Sequence, residues 1–384
     1  MKLIADWIID TNVQRIFTAF ESRGHQILFV GGCVRNALLD QAVVDLDLST
    51  SAIPEQMIAV AKEEGFKFIP TGLEHGTITF LVDGQSFEIT SFRKDVDTNG
   101  RHAVVEFSDN ILDDALRRDF TINALYADGR GVVLDPLGAI DDLQNRCVKF
   151  IANAQERIRE DYLRILRYFR FYALYADHVG GIDPDAMTAI AENLEGLSLV
   201  SKERVGAEFR KILSAKDPLC TLAAMEQSGV LMQILPNSSA QFLGHLLLLE
   251  EAFGLAGDWL RRLICLGGVE QVKNLRLSKT EAKRIATFYR ATDRGAGSAE
   301  TAYLFGRDTA LDLALITAAT LENYPTGNLM KQIKTGCSAK FPIEAADLPD
   351  TLTGKAIGNA LRRLENNWIM SDFEKSKTAL LADV

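Results

Sequence analysis

Several features that would place this chain in a broad class are missing from it. Its five cysteines stand far apart, at positions 33, 147, 220, 265 and 337, and none forms a CxxC pair. A zinc ribbon or disulfide scaffold is therefore not expected, and a reducing, cytoplasmic setting is. No apolar run approaches the roughly 18 residues that a membrane span needs. Residues 1–20 carry Asp6 and Asp10 and have no signal-like apolar centre, so no membrane association is expected. Tandem repeats, low-complexity tracts and a GxGxxG dinucleotide fingerprint are absent. An excess of positive charge is lacking too: 42 basic residues face 52 acidic ones, a formal net charge of −10. That excludes a protein that coats nucleic acid by bulk electrostatics, but not a local basic groove.

What is present is ample core-forming material. The 384 residues are 47% hydrophobic and 24% charged, as in globular proteins of two or three domains. Residues 1–150 hold 14 basic and 23 acidic side chains, whereas 151–384 hold 28 and 29, so the acidity belongs to the first part. The two parts also differ in pattern. Apolar residues at helical spacing predict a helix over Ile4–Arg23, ending at Gly24. Gln26–Val30 reads as a strand, Gly31-Gly32 breaks it, and Val34–Leu39 suggests a helix. Period-two alternation over Asp45–Ser49 predicts a half-buried strand. Thr77–Val82 and Ser86–Thr90 read as a hairpin around Asp83-Gly84. Residues 93–112 read as a mobile loop, and Val132–Leu134 as a last strand. Beyond Arg146 the pattern is helical, most clearly over Ala154–Tyr175, Val200–Ser214 and Leu219–Leu231. The expected fold class is α+β: a small mixed-sheet head over 1–148, an all-α neck over 149–215, and a helical body and tail over 216–384.

Four sets of residues could carry chemistry. Asp45 and Asp47, two apart on a strand, project their carboxylates to one side. Such a pair is tolerated best around a divalent cation. The preceding Gly31-Gly32 turn and Arg35 offer backbone N–H groups and a cation to a phosphate. The plain alternative is a tight turn beside a solvated acidic strand. Glu88 could complete a three-carboxylate cluster if its strand lay beside Asp45–Ser49, or could be one exposed glutamate. Arg118, Asp119 and Asn123 make a ribose–phosphate clamp or, equally, a helix start capped by Asp119. Glu160, Asp161, Arg164 and Arg167 share a face of one helix, which an ordinary salt-bridged surface explains. Alternatively, Asp161 accepts from the exocyclic amine of cytosine or adenine while Arg164 donates to the adjacent ring nitrogen. Guanine and uracil present the opposite order.

Taken in order, GGCVRNALL, DLDLST, LRRDFTINAL, LDPLGAIDDL and RIREDYLRILR resemble the motifs of the bacterial-type (class II) tRNA nucleotidyltransferases and poly(A) polymerases. The resemblance runs from about Ile27 to Leu213, and LVSKERVGAEFRKIL resembles the segment that closes the family's neck. It implies Mg2+ at Asp45 and Asp47 with Glu88 as third carboxylate. It also implies a triphosphate pocket at Gly31, Gly32 and Arg35, ribose and phosphate contacts from Arg118, Asp119 and Asn123, and base reading by Asp161 and Arg164 with Arg167 close by. EHGTITF at 74–80 and the loop over 95–107 are similar to the CCA-adding branch. Asn36 stands where the family usually has an aspartate. No His-Asp pair suggests an attached phosphohydrolase domain. The implied activity is addition of C, C and A from CTP and ATP to the 3′ end of tRNA, with no obligate protein partner. Partial CC or A addition and poly(A) synthesis are the alternatives within the family, and a catalytically inactive RNA-binding protein is the alternative outside it. Residues 270–340, with 11 basic and 7 acidic residues, put Lys273, Arg276, Lys279, Lys283 and Arg284 forward as an RNA-backbone contact.

Overall fold

The computed structural model describes residues 1–99, 102–268, 274–325 and 327–382. Among these, the strands are β1 (Ile27–Val30), β2 (Asp47–Thr50), β3 (Lys67–Gly72), β4 (Thr77–Val82), β5 (Gln85–Ser91), β6 (Arg93–Asn99), β7 (His102–Phe107), β8 (Tyr126–Ala127) and β9 (Val133–Leu134). Seven form one mixed sheet in the order β3-β4-β5-β2-β1-β8-β9, and β6 and β7 pair separately as a hairpin. Neighbours are antiparallel except β2 and β5, which run parallel. Parallel neighbours need a long crossover, and the chain between them supplies it through a helix and two strands. The helices of this region are α1 (Thr11–Glu21), α2 (Gly32–Leu38), α3 (Pro54–Glu64), α4 (Ile111–Leu116) and α5 (Ile140–Gln144).

β1 is buried along its whole length because both faces of the sheet are covered. On one face Phe29 meets Phe17 of α1, ring centroids 4.7 Å apart, and Phe20 meets Phe80 at 5.8 Å. On the other, Leu28 and Val30 join Phe92, Ala115, Ala124, Tyr126 and Ile151.

Three local readings change here. The first helix starts at Thr11, not Ile4, because the Asp10 carboxylate accepts from the N–H groups of Asn12 (2.9 Å) and Val13 (3.1 Å) and caps it. The residues before it form a strap: Leu3 N–H donates to the Gly131 carbonyl (2.8 Å) and Val133 N–H to that of Met1 (3.1 Å). Gly131 sits at φ +81°, where a Cβ would stand 2.4 Å from the Leu3 oxygen, so the crossing needs glycine. The strand expected from Asp45 starts at Asp47. The segment read as a loop is the β6–β7 hairpin followed by α4. Its cross-strand pairing includes Lys94 with Glu106 at 3.0 Å. Residues 100 and 101 of its turn lie outside the described residues.

Two compact units divide the chain, Met1–Ile234 and Leu235–Val384. The first includes the helices that follow the sheet: α6 (Ala154–Glu160), α7 (Leu163–Tyr175), α8 (Pro184–Glu192), α9 (Lys202–Leu213), α10 (Leu219–Gln227) and α11 (Val230–Ile234). The single helix expected over Ala154–Tyr175 breaks at Asp161, whose backbone is extended (φ −155°, ψ 105°). The Asp161 carboxylate accepts from Leu163 N–H at 3.1 Å and pairs with Arg204 of α9 at 2.6 Å. A short polar side chain that bonds its own backbone competes with helix continuation. The helix expected over Leu219–Leu231 is interrupted at Gly229 (φ +80°).

The second unit is helical: α12 (Leu243–Ala252), α13 (Trp259–Leu266), α14 (Lys279–Arg294), α15 (Ser298–Phe305), α16 (Arg307–Thr320), α17 (Leu329–Ser338), α18 (Lys355–Met370) and α19 (Lys377–Leu381). Leu364, Trp368 and Leu380 anchor its last cluster. Its centre holds buried charge. Arg261 bonds Asp312 (2.8 Å) and Glu250 (3.0 Å), Arg262 bonds Glu250 (2.9 Å), and Arg284 bonds Asp312 (2.6 Å) and Asp258 (2.7 Å). No helix among the described residues is long and apolar enough to cross a membrane. The cysteines are free thiols, with Cys33 buried and Cys220 and Cys337 exposed.

Removing one member of a buried ion network strands its partners. Asp312→Ala is expected to destabilise the second unit by about 3–5 kcal/mol, read as a lower urea midpoint. Lys279→Ala, at an exposed position of α14, should change stability by less than about 0.5 kcal/mol.

Candidate active site

The parallel pairing of β2 with β5 puts Asp47 directly beside Glu88, and Ser49 beside Thr90. Neighbouring strands lie about 4.8 Å apart, so two carboxylates face each other across that gap. Asp45 follows the same side two residues earlier, in the loop that leads into β2. All three reach solvent, although neighbouring groups crowd the Asp47 carboxylate. Partial burial pushes the Asp47 carboxyl above its ordinary value, Glu88 and Asp45 add repulsion, and Arg118 works against the rise. The three carboxylates line a cleft of about 810 Å³. Among the described residues no set of three His, Cys, Asp or Glu side chains is gathered closely enough to hold an ion by itself. The donor set is nevertheless all oxygen, and the repulsion that Arg118 only partly offsets at Asp47 suits a hard divalent cation. Mg2+ typically takes one or two carboxylates and completes its shell with water and substrate phosphate, so these residues fit it.

Ser49, on the same side of β2 as Asp47, leads to the arginines. Arg118 Nη2 donates to Ser49 Oγ (3.2 Å) and to Asp114 Oδ2 (2.9 Å), while Arg118 Nε donates to the Tyr126 hydroxyl (3.1 Å). Asp114 is fully buried and also holds Arg117 and the Tyr126 hydroxyl, the last at 2.7 Å. Arg118 Nη1 lies 3.6 Å from where a Cβ on Gly31 would stand, beside the start of α2. Gly31 has φ +69° and caps that helix. Asp114 was not singled out from the sequence. Its signal is the spacing Asp114–Arg117–Arg118, which is i, i+3, i+4 on a helix turn.

Arg35, Asp119, Asn123 and Arg167 are bonded to one another in a relay that is buried except at Arg167. The Arg35 guanidinium donates to Asn123 Oδ1, to Asn36 Oδ1 (2.9 Å) and to the Tyr175 hydroxyl (2.7 Å), and lies 4.1 Å above the Tyr175 ring. Asn123 Nδ2 donates to Asp119 Oδ1 at 2.9 Å. Asp119 Oδ2 accepts from Arg167 Nε (2.7 Å) and Nη2 (2.5 Å). Burial opposes the Asp119 charge, yet Arg167 and Asn123 hold its carboxyl below the ordinary value. The relay ties α2 to α7.

The break between α6 and α7 carries Asp161, and Arg164 stands in the first turn of α7. They do not share a continuous helix face, because Asp161 lies in the break. Asp161 is paired with Arg204, a residue the sequence pattern did not single out. Arg164 Nη1 is paired with Glu160 and also donates to the Arg157 carbonyl (2.8 Å) at the end of α6. Arg157 in turn reaches the carbonyls of Arg117 and Arg118, the latter at 2.6 Å. In the second unit, Lys279 and Lys283 are exposed on α14 and Arg276 just before it. Lys273 lies outside the described residues. Arg284 is not part of that surface, since the acids Asp258 and Asp312 draw it into the buried network.

Comparison with known proteins gives concordant matches. Residues 27–149 match the model of the poly A polymerase head domain, and residues 181–242 match that of the "Probable RNA and SrmB-binding site of polymerase A". The chain is 32% identical over 381 residues to the human mitochondrial CCA tRNA nucleotidyltransferase 1, a match covering 94% of this chain and 87% of that one. The CCA-adding enzyme of Lactobacillus delbrueckii subsp. bulgaricus is 38% identical over 209 residues, 54% of this chain and 51% of its own. In structure, the Bacillus stearothermophilus CCA-adding enzyme in complex with CTP superposes with a TM-score of 0.70 at 24% identity, covering 97% of this chain and 95% of that one. The Thermotoga maritima CCA-adding enzyme in complex with tRNA superposes at 0.71 with 19% identity, covering 99% and 98%. The fold is thus that of the CCA-adding enzymes.

Asp114 generates a measurable pH dependence. Burial would raise its carboxyl, but Arg118, Arg117 and the Tyr126 hydroxyl bring it down to about 2 from 3.8. Its folded value lies below its unfolded one, so its stabilisation is complete above about pH 4 and is lost as pH falls toward 2. The amount is roughly 2 kcal/mol. Urea unfolding in that window should lose this stability in the native protein, and the loss should be smaller in Asp114→Asn.

Proposed function

The chain belongs to the family of tRNA nucleotidyltransferases and poly(A) polymerases and is a CCA-adding type of nucleotidyltransferase, and on that premise we propose that it adds C, C and A to the 3′ end of tRNA from CTP and ATP without a nucleic-acid template. The observation that carries this reading is the register of Asp47 with Glu88 on a sheet face that also bears the anchored Arg118. The 3′-hydroxyl oxygen of the acceptor attacks the α-phosphorus of the nucleotide. The bond from that phosphorus to the bridging oxygen of the departing pyrophosphate breaks in line with it, and the hydroxyl proton is given up. Asp45 and Asp47, with Glu88, are the residues that would hold Mg2+, which when bound lowers the pKa of the hydroxyl and neutralises the triphosphate.

The chain's own groups do the positioning. Gly31 and Gly32 let the backbone approach the phosphates. Arg118, fixed by Asp114, presents its guanidinium beside that turn. Asp161 and Arg164 read the base: the carboxylate takes the exocyclic amine, and the guanidinium gives a hydrogen bond to the ring nitrogen, as cytosine and adenine both allow. To do so they exchange their pairings with Arg204 and Glu160 for the base. Arg35, Asp119, Asn123 and Arg167 keep α7, which carries Arg164 and follows Asp161, in register with the glycine turn. Arg276, Lys279 and Lys283 follow the RNA backbone. Five free thiols suit a reducing compartment, and we assign the cytoplasm; the human and mouse relatives are named mitochondrial.

The test is extension of tRNA lacking its CCA end, with CTP, ATP and magnesium. The expected product is longer by C, C and A. A stop after CC, or a long A tail, would overturn the specific reading. Asp47→Ala should lower the rate at least about 10³-fold, since the metal-bound transition state loses a ligand. RNA affinity should fall with rising salt, and less steeply in Lys279→Ala/Lys283→Ala.

A further inference from the structure

Arg35 is the exception among the buried cations. Of the four arginines buried among the described residues, Arg157, Arg261 and Arg262 each bond a carboxylate. Arg35 bonds only neutral oxygens. Its Nε and Nη2 donate to Asn36 Oδ1 (3.2 and 2.9 Å), its Nη1 to Asn123 Oδ1, and its Nη2 also to the Tyr175 hydroxyl (2.7 Å). The relay reaches a carboxylate only beyond Asn123, at Asp119, and Arg167 occupies that one. A guanidinium without an ion partner is costly to keep out of water. What holds this one is an aromatic wall. The guanidinium carbon lies 4.1 Å from the centre of the Tyr175 ring and 5.2 Å from that of Phe171, and the two rings stack at 5.6 Å and 26°. Burial lowers the Arg35 pKa from its ordinary value, and Tyr175 opposes that fall more strongly than Asp119 does.

The place where Arg35 is held gives this contact its meaning. Its Nη2 lies 3.8 Å from where a Cβ on Gly32 would stand, as Arg118 Nη1 lies 3.6 Å from the corresponding point on Gly31. Two guanidinium groups thus flank the glycine turn. Arg118 is anchored there by the Asp114 carboxylate. Arg35 is anchored by a residue from another element, since Tyr175 is the last position of α7. Without the Tyr175 ring and hydroxyl the Arg35 cation would be left desolvated and would swing toward water, away from the turn. We infer that Tyr175 is a positioning residue of the nucleotide site, its ring face and hydroxyl doing for Arg35 what the Asp114 carboxylate does for Arg118. The inference rests on the nucleotidyl-transfer reading and deepens it: the triphosphate is met by one arginine set by an aspartate and a second set by a tyrosine.

The test follows nucleotide affinity and base choice separately. Binding of CTP–magnesium and ATP–magnesium is measured by calorimetry without RNA, and use of CTP against UTP by extension of tRNA lacking its CCA end. Tyr175→Leu should weaken CTP and ATP binding by a common factor, roughly 5- to 50-fold, because Arg35 stands at the turn and not at the base. Its preference for CTP over UTP should stay within about twofold of the native one. Adding Asn36→Asp to Tyr175→Leu should recover most of the affinity. The Arg35 Nε and Nη2 bonds to that position become charge-assisted, while the Asn36 Nδ2 bond to the Ala42 carbonyl (3.0 Å) is lost. Tyr175→Phe keeps the ring and loses the hydroxyl, so it should lose less affinity at a near-native unfolding midpoint. It keeps the test decisive if Tyr175→Leu is unstable. Unchanged CTP affinity in both Tyr175 variants of an active protein overturns this inference alone. So does a loss that Asn36→Asp fails to relieve, or a fall in the preference for CTP, which would mean that α7 had shifted together with Arg164. A native protein that extends no tRNA overturns the transfer reading.

Discussion

Two negative charges held side by side by the backbone are the constraint around which the rest of the head is arranged. Asp47 and Glu88 cannot move apart, because the ladder between β2 and β5 fixes their register. Partial burial and then their repulsion raise the Asp47 carboxyl, and the nearby cation that counters the rise, Arg118, is ion-paired to Asp114 rather than to Asp47. Arg118 is kept for Asp114 instead, in a buried group with Ser49 and Tyr126. A free arginine would collapse onto the carboxylates and cancel them. An anchored one leaves them charged and available.

The buried polar groups serve a second purpose. Arg35, Asn123, Asp119 and Arg167 run from α2 to α7, through the turn after α4. Each hydrogen bond in a low-dielectric interior is costly to leave unmade, so the chain of four behaves as one unit. It joins the helix that starts at the glycine turn to the helix that carries Arg164 and follows Asp161. The spacing between α2 and α7 is thereby set by polar contacts rather than by apolar packing alone.

Local chemistry was legible in the sequence and long-range geometry was not. Alternation marked the strand at Asp47, the Asp83-Gly84 turn marked the β4–β5 hairpin, and the five ordered motifs carried the family. The neighbour of Asp47 was not readable, because a parallel pair between residues 41 apart leaves no periodic trace. The break at Asp161 was equally hidden. No proline or glycine marks it, and it is held by Arg204, 43 residues on. Arg284 looked like surface charge because its neighbours are lysines, but Asp258 and Asp312 arrive from other helices. Asp114 did have a signal, two arginines three and four residues later, which read as ordinary helix pairing because its burial was not visible. The polar stretch over 93–107 looked like a loop because its strands pair mainly with each other.

The distribution of thiols has a practical consequence. Of the two exposed ones, Cys220 belongs to the first compact unit and Cys337 to the second. Cys33 is sealed beneath β2, its thiol pushed up to about 11 by burial. Thiol reagents that need an exposed sulfur therefore find one exposed handle on each unit of the unmodified chain. A spin label or fluorophore at each of those two positions would report on its own unit, with no engineered cysteine.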